Sequence, residues 1–230
     1  MESTGWQMAG THVPALGFHR LSELRFHRHA FAVRQPGVDV QVPRDEAVRR
    51  LLAPHSRLRD ELGLGNHTVH FAEQVHGELI AVVPEDERKS SSAVVHPGAD
   101  ALISGTRDVC LGIYTADCCA VFIVDPVTRA MGLVHSGAKG TSLRIVSKTL
   151  DSMHRRFGCE ISQLVVVLSP CIRPPLYEFD FAYAIRQECE RAGVAEVWDG
   201  GECTGRDTER YYSYRMEKGL TGRMLALLGS

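Results

Sequence analysis

Short apolar runs separated by turn residues dominate the middle of the chain. VCLGIYT (109–115), AVFIVD (120–125), AMGLVH (130–135) and QLVVVLSP (163–170) are near-continuous hydrophobic segments of strand length. Such runs predict strands buried on both faces. PVTR (126–129), between the second and third, predicts a hairpin turn. RHAFAVRQ (28–35) predicts another strand. In TVHFAEQVHG (68–77) the two-residue period puts His70, Ala72, Gln74 and His76 on one face and Val69, Phe71, Glu73 and Val75 on the other. One face of that segment is unusually polar.

Helical spacing appears on either side of these runs. In TSLRIVSKTLDSMHRRFG, Leu143, Val146, Leu150 and Met153 recur every three or four residues and Gly158 can stop the element, predicting a helix over 141–156. FDFAYAIRQECERAGV predicts a helix over 180–192, ending at Gly193. RDEAVRRLLAPHSRLRDELGL (44–64) places Val48, Leu51, Leu52, Leu58 and Leu62 at helical spacing, interrupted by Pro54. PEDERKSSSAVVHPGAD (84–100) reads as a charged surface loop, and TGRMLALLGS (221–230) as a short apolar terminus docked on the core. The order of elements predicts an α+β fold (α/β layered), with mixed β-sheets covered by helices in a single domain spanning 1–230. Residues 1–25 are the candidate for a poorly ordered extension.

Composition narrows the function classes. At 230 residues and 44% hydrophobic content, the chain can bury one sizeable core. The 26 basic and 28 acidic residues leave a charge of −2 and no basic footprint for nucleic acid. Small molecules fit better, and nothing in the composition identifies a protein partner. No window approaches the ~18 uninterrupted apolar residues of a membrane span, and the start lacks the marks of a leader. A soluble, cytoplasmic protein is expected. Seven cysteines, an odd number, do not make a secreted disulfide framework, so reduced thiols are expected.

Reduced thiols make metal ligation or catalysis a live question. His76, Cys118 and His135 each fall at the end of a predicted strand. Two imidazoles and a thiolate suit Zn²⁺ with a fourth position open to water or substrate. The competing reading makes each histidine a hydrogen-bonded interior residue. Cys110, Cys159, Cys171 and Cys189 read as inert core. Cys118 and Cys119 point to opposite faces of an extended chain, so only one belongs in a site. His12, His19, His27, His29, His55, His67, His96 and His154 stand in polar or loop contexts and read as surface residues.

HSGAKGTS (135–142) carries a second signal. Gly137 and Gly140 allow close backbone approach, Lys139 supplies a point charge, and Thr141 or Ser142 can open the following helix. Amides there would favour a phosphate or carboxylate. The same letters also describe a plain strand-to-helix turn. They do not match the P-loop spacing of nucleotide hydrolases.

QVHG (74–77), GADALIS (98–104), TADCCAVFIVDP (115–126), HSGAKGT (135–141), YEF (177–179), CT (203–204), YSYR (212–215) and TGR (221–223) resemble, in order, the motifs of the laccase-domain family, also called the polyphenol oxidase family. The resemblance runs from about residue 29 to 228. It implies a layered α/β fold and an intracellular zinc-containing phosphorylase of purine nucleosides (adenosine, inosine, guanosine, methylthioadenosine), with adenosine deaminase activity as well. The family's metal ligands match His76, Cys118 and His135. Two departures stand out: Ala138 and Lys139 occupy the places of the family's tryptophan and arginine. HAFAVRQPG (29–37) resembles a family segment that places Arg34 at its arginine, but the loop that follows is not recognisable between Val38 and Asp45.

On that resemblance, phosphate held by Lys139, the 137–142 amides and Arg34 attacks the ribose of a bound purine nucleoside. Gly137, Gly140 and Thr141 contact substrate. Tyr114, Glu178 and Asp117 are candidates for orienting groups or proton transfer. The alternatives are a hydrolase editing cell-wall precursors, with Cys118 as nucleophile and His135 as base, and a metal-stabilised binding protein without catalysis. Copper-dependent phenol oxidation ranks last, because one Cys and two His do not supply a multicopper centre.

Overall fold

The computed structural model describes residues 5–84 and 93–230. Among them, thirteen strands form two mixed sheets, and five helices accompany them. In chain order the strands are β1 (Trp6–Met8), β2 (Ala15–Phe18), β3 (Arg28–Ala32), β4 (Thr68–Ala72), β5 (Leu79–Val82), β6 (Val94–His96), β7 (Ala99–Ser104), β8 (Val109–Thr115), β9 (Cys119–Val124), β10 (Met131–Ser136), β11 (Val165–Leu168), β12 (Glu196–Asp199) and β13 (Met224–Gly229). The helices are α1 (His19–Glu23), α2 (Arg44–Glu61), α3 (Ala138–Ser142), α4 (Ile145–Phe157) and α5 (Phe181–Ala192). The first sheet runs β1-β2-β3-β13-β8-β4-β6 and the second β12-β11-β9-β10-β7-β5.

Alternation along the strands distributes the core between faces. Phe31, Leu111, Ile113, Met224, Ala226 and Leu228 of the first sheet meet Leu102, Phe122, Leu133 and Val167 of the second in one cluster between the sheets. The other face of the second sheet, with Ala101, Ile103, Val121, Ile123 and Val134, packs on Val146, Leu150 and Met153 of α4 and Ile185 and Cys189 of α5. The outer residues of the first sheet, Ala30, Ala32, Val69, Leu225 and Leu227, pack with Leu58 of α2. The fold is therefore α+β in layers, one domain, as expected.

Local chemistry sets the element ends. Asp180 caps α5 by accepting the Tyr183 N–H at 2.9 Å, and Gly193 ends it at φ +91°. Gly158, at φ +67°, ends α4 as its sequence predicts. That helix begins later than expected: Arg144 adopts a left-handed conformation and separates it from the short α3.

Other expectations are corrected. α2 continues through Pro54, because Ala47 and Leu51 before it and His55 and Leu58 after it bury one face. Leu52, expected on that face, is exposed. Residues 5–25 are no loose extension: β1 and β2 pair, Trp6 is buried, and its indole N–H donates to Leu168 O in the second sheet at 3.1 Å. The 84–100 segment contains β6 and the start of β7, while its residues 85–92 lie outside those described. The 221–230 terminus contributes β13, a central strand between β3 and β8.

Candidate metal centre

β7 and β10 are antiparallel neighbours, with Val134 opposite Ala101. One residue beyond that pair on each strand stand Asp100 and His135. Asp100 Oδ1 lies 2.8 Å from His135 Nδ1, both side chains almost fully buried. The same carboxylate accepts the N–H groups of Val75, His76 and Gly77 at 3.1, 3.0 and 2.6 Å. One buried acid thus ties the 75–77 turn to β10 and fixes His135, leaving Nε2 as its free ring nitrogen.

The turn departs from the alternation read in the sequence. β4 ends at Ala72, and Gln74 and His76 adopt φ +66° and +59°. His76 therefore leaves the strand face shared by His70 and Ala72 and swings over the end of the second sheet. Gln74 holds the turn from its other side: the Tyr114 N–H donates to Gln74 Oε1 at 2.9 Å, and Gln74 Nε2 donates back to Tyr114 O.

Cys118 comes from the short connection between β8 and β9, next to Asp117 at φ +86°. Its Sγ lies 4.0 Å from His76 Nε2. Donor atoms of His76, Cys118 and His135 all fall within 4.8 Å of one another, the one such group among the described residues. A Cβ on Gly137 would stand 2.5 Å from Cys118 Sγ, so glycine there leaves room for the thiol. Cys119 turns into the core towards Ser169 O, leaving one cysteine in the site as expected.

The electrostatics of the trio suit a cation. Burial pushes the Cys118 thiol up, but hydrogen bonds and charge from His135 and His76 bring it down to about 6. Burial pushes His135 down, but Asp100 and Cys118 raise it to about 9. Burial also opposes ionisation of Asp100, and His135 and the turn amides hold it below its usual range. The pocket thus concentrates negative charge around His135, the charge that a bound metal ion would balance. Two imidazoles, a thiolate and a carboxylate behind one imidazole fit a divalent transition-metal ion.

The trio opens into a cavity of about 730 Å³. Tyr114, Tyr177, Phe181 and Tyr214 give it aromatic walls, and Arg44, Lys139, Arg215, Lys218 and Arg223 give it cationic ones. Of the residues read from the sequence, Tyr114, Asp117, Lys139 and Glu178 line this space. Arg34, Gly137, Gly140 and Thr141 do not. Arg34 pairs with Glu217 at 2.8 Å, donates to Tyr211 O at 3.0 Å and lies 4.4 Å over the Tyr212 ring. Thr141 is buried with its hydroxyl 2.9 Å from Ser136 Oγ. A Cβ on Gly140 would meet Ile145 and His135 O at 3.4 and 3.5 Å, which makes that glycine a packing residue. Gly137 itself caps α3, so neither Thr141 nor Ser142 opens a helix.

The acidic candidates are already engaged. Asp117 accepts from Thr204 Oγ1 and from the Arg215 N–H, both at 2.7 Å, and Glu178 pairs with the Arg215 guanidinium. Glu217 accepts from Arg34, from the Ser213 N–H at 2.9 Å and from Thr221 Oγ1 at 2.6 Å. Through that carboxylate, Arg34 anchors the 213–223 segment carrying Arg215 and Arg223. Asp100, Arg215 and Arg223 were singled out in the sequence only as letters within GADALIS, YSYR and TGR; Arg44, Lys218 and Glu217 carried no signal. Three histidines read as surface residues, His27, His29 and His55, are buried instead. His29 Nε2 accepts the Phe18 N–H at 2.8 Å. Cys110, Cys159, Cys171 and Cys189 are buried, as expected.

Comparison with known proteins places this geometry in a wider set. The family model described as multi-copper polyphenol oxidoreductase laccase matches residues 36–184 and 177–230. A protein of Deinococcus radiodurans named purine nucleoside phosphorylase is 30% identical, with 87% of this chain and 88% of that one covered. Purine nucleoside phosphorylase YlmD of Geobacillus stearothermophilus is 28% identical over 68% of this chain and 70% of its own. Its crystal structure superposes with a TM-score of 0.79, covering 99% of this chain and 98% of that one. The Bacillus licheniformis hypothetical protein YfiH superposes with a TM-score of 0.82 at 20% identity, covering 97% of this chain and 98% of that one.

Proposed function

Because the chain belongs to the multi-copper polyphenol oxidoreductase laccase family, we propose that it is a zinc-dependent purine nucleoside phosphorylase, acting on adenosine, inosine, guanosine and methylthioadenosine, with adenosine deaminase activity as well. The observation that carries this reading is the His76, Cys118 and His135 trio opening into one cavity with cationic and aromatic walls. The names of the relatives support the same substrate class. A single three-donor group among the described residues offers no multicopper centre, so phenol oxidation is not proposed.

His76, Cys118 and His135 would hold the ion, and Asp100 would fix His135 behind it. When bound, such an ion supplies a Lewis acid to the cavity. The chain's own residues do the rest. Tyr177, Phe181 and Tyr214 present flat surfaces to the purine. The cationic wall, Lys139 included, holds inorganic phosphate beside the ribose. A phosphate oxygen bonds to the anomeric carbon as the carbon–nitrogen bond to the base breaks, and the bonding pair goes to the base together with the proton that the hydrogen phosphate gives up. Asp117 and Glu178 orient the Arg215 segment in this scheme. A cytoplasmic setting, supported by seven free thiols, belongs to the same reading.

Metal analysis and a nucleoside panel with and without phosphate test the proposal. About one zinc per chain is expected, with base release that requires phosphate and yields ribose 1-phosphate. Inosine and ammonia from adenosine report deamination. A zinc-loaded protein releasing no base from any nucleoside would overturn the phosphorylase reading. The row Cys118, His135, Asp100 supports a second reading, a thiol hydrolase of cell-wall precursors. Amide cleavage abolished by thiol alkylation and indifferent to chelators would favour it.

A further inference from the structure

Several half-buried arginines of the molecule have carboxylate partners. Arg20 pairs with Glu196, Arg34 with Glu217 and Arg173 with Asp199. Even the exposed Arg215 has Glu178. Arg223 is 7% exposed and has no carboxylate partner among the described residues. Its Nη1 donates to Thr221 O and Gly222 O, both at 2.8 Å, which fixes the plane of the guanidinium. Its remaining N–H groups have no acceptor among the described residues, and the side chain lines the cavity. Burial and the charge of Arg44 push its pKa down, against smaller opposing effects of Tyr214, Cys118 and Asp117. Arg44, also in the cavity wall, has no carboxylate partner among the described residues either. Arg223 lies close enough to Cys118 and Asp117 to feel their charge, beside the metal trio.

Burying an unpaired cation is costly unless an anion joins it, and an orientation-fixed guanidinium suits a tetrahedral oxyanion that accepts two parallel bonds. We propose that Arg223 and Arg44 form the cradle for a phosphate dianion beside the metal trio, with inorganic phosphate as its occupant and Lys139 in a lesser role. The assignment rests on the phosphorylase reading for its role in turnover, though not for the binding itself. It moves the anion site away from the 137–142 amides and Arg34.

Two measurements on the zinc-loaded full chain test it. In the first, phosphate and nucleoside KM values are compared for the native protein, Arg44→Met, Arg223→Lys and Lys139→Met. Arg223→Lys keeps the buried charge and loses the fork, and Arg44 is exposed, so neither variant depends on rebuilding the core. The phosphate KM should rise about tenfold or more in both arginine variants, with the nucleoside KM little changed and a smaller rise in Lys139→Met. An unchanged phosphate KM in both, with a large rise in Lys139→Met, would overturn the cradle. In the second, calorimetric titration with inorganic phosphate and, separately, with a nucleoside 5′-monophosphate reads binding without turnover. Loss of phosphate affinity in both arginine variants supports the cradle even if no nucleoside is cleaved. Equal affinity in native and variant proteins refutes it even if phosphorolysis is found. Arginine-dependent binding of the monophosphate alone would keep the dianion cradle and refute inorganic phosphate as its occupant.

Discussion

The two sheets build the site in different ways. The second sheet places Asp100 and His135 within β7 and β10, where His135 sits in the backbone ladder opposite Ala120 and holds Asp100 by a buried hydrogen bond. The first sheet delivers its residues from connections beyond its strand ends: His76 after β4, Cys118 after β8 and Arg223 just before β13. There the backbone takes positive φ at Gln74, His76 and Asp117. Position is held by bonds from Gln74, Asp117 and Glu217 to main-chain groups. One half of the centre is therefore rigid by construction. The other is held by a few replaceable side chains, and local opening should concentrate there.

Ligand removal should give the largest effects and show the asymmetry directly. His76→Ala and His135→Ala should both abolish metal retention, read by metal analysis. His135→Ala also removes the imidazole paired with the buried Asp100, leaving its charge to the three turn amides, and should cost roughly 3–5 kcal/mol of stability, whereas His76→Ala, removing an exposed ring, should leave Tm nearly unchanged. Equal Tm losses would erase the distinction.

Acid should separate the sheets next. Burial lowers His27 and His29 to about 4 and His55 to about 3, all on the side of the first sheet. Because these folded values lie below the unfolded ~6.5, the unfolded chain takes up more protons as pH falls through that window. Stability should be full above ~6.5 and decline towards pH 4, by on the order of 3 kcal/mol for each histidine. Hydrogen exchange at pH 5 should show β3 losing protection before β9 and β10. Uniform loss across both sheets would argue against this order.

Asp100→Asn keeps the shape of the acid that joins the two halves and removes its charge. Metal affinity should fall ten- to a hundredfold, measured by competition with a chelator. No change would mean that Asp100 only builds the turn. Glu217→Gln is the mildest test and touches only the softer half. It should cost about 1–3 kcal/mol and raise the phosphate KM through the loosened 213–223 segment, while metal affinity stays unchanged.

What could be read from sequence follows the same division. β8, β9, β10 and β11 announced themselves as apolar runs, and α4 and α5 by spacing and terminal glycines, because burial and periodicity determine them. His135 and Cys118 followed from those strand ends. His76 was assigned to the trio from its strand-end position, yet its turn was missed: nothing in Glu-Gln-Val-His marks non-glycine residues at positive φ. The α2 face was misread because Ala47 and His55 fill places given to Val48 and Leu52. The cationic wall was illegible for another reason. Arg44, Arg215 and Arg223 come from distant parts of the chain, and only the paired sheets bring them to one cavity.

The position of β13 carries a consequence for biosynthesis. Leu225 pairs with Ala32 on one side and Tyr114 on the other, so the middle of the first sheet stays unfilled until residues 224–229 have left the ribosome. The second sheet and its α4–α5 layer can form earlier on the emerging chain, since all their elements precede β13. Arg223 arrives immediately before that closing strand. A nascent chain would therefore hold Asp100, His135 and Cys118 well before it could retain an anion, and the cavity would become complete only as the last strand docks.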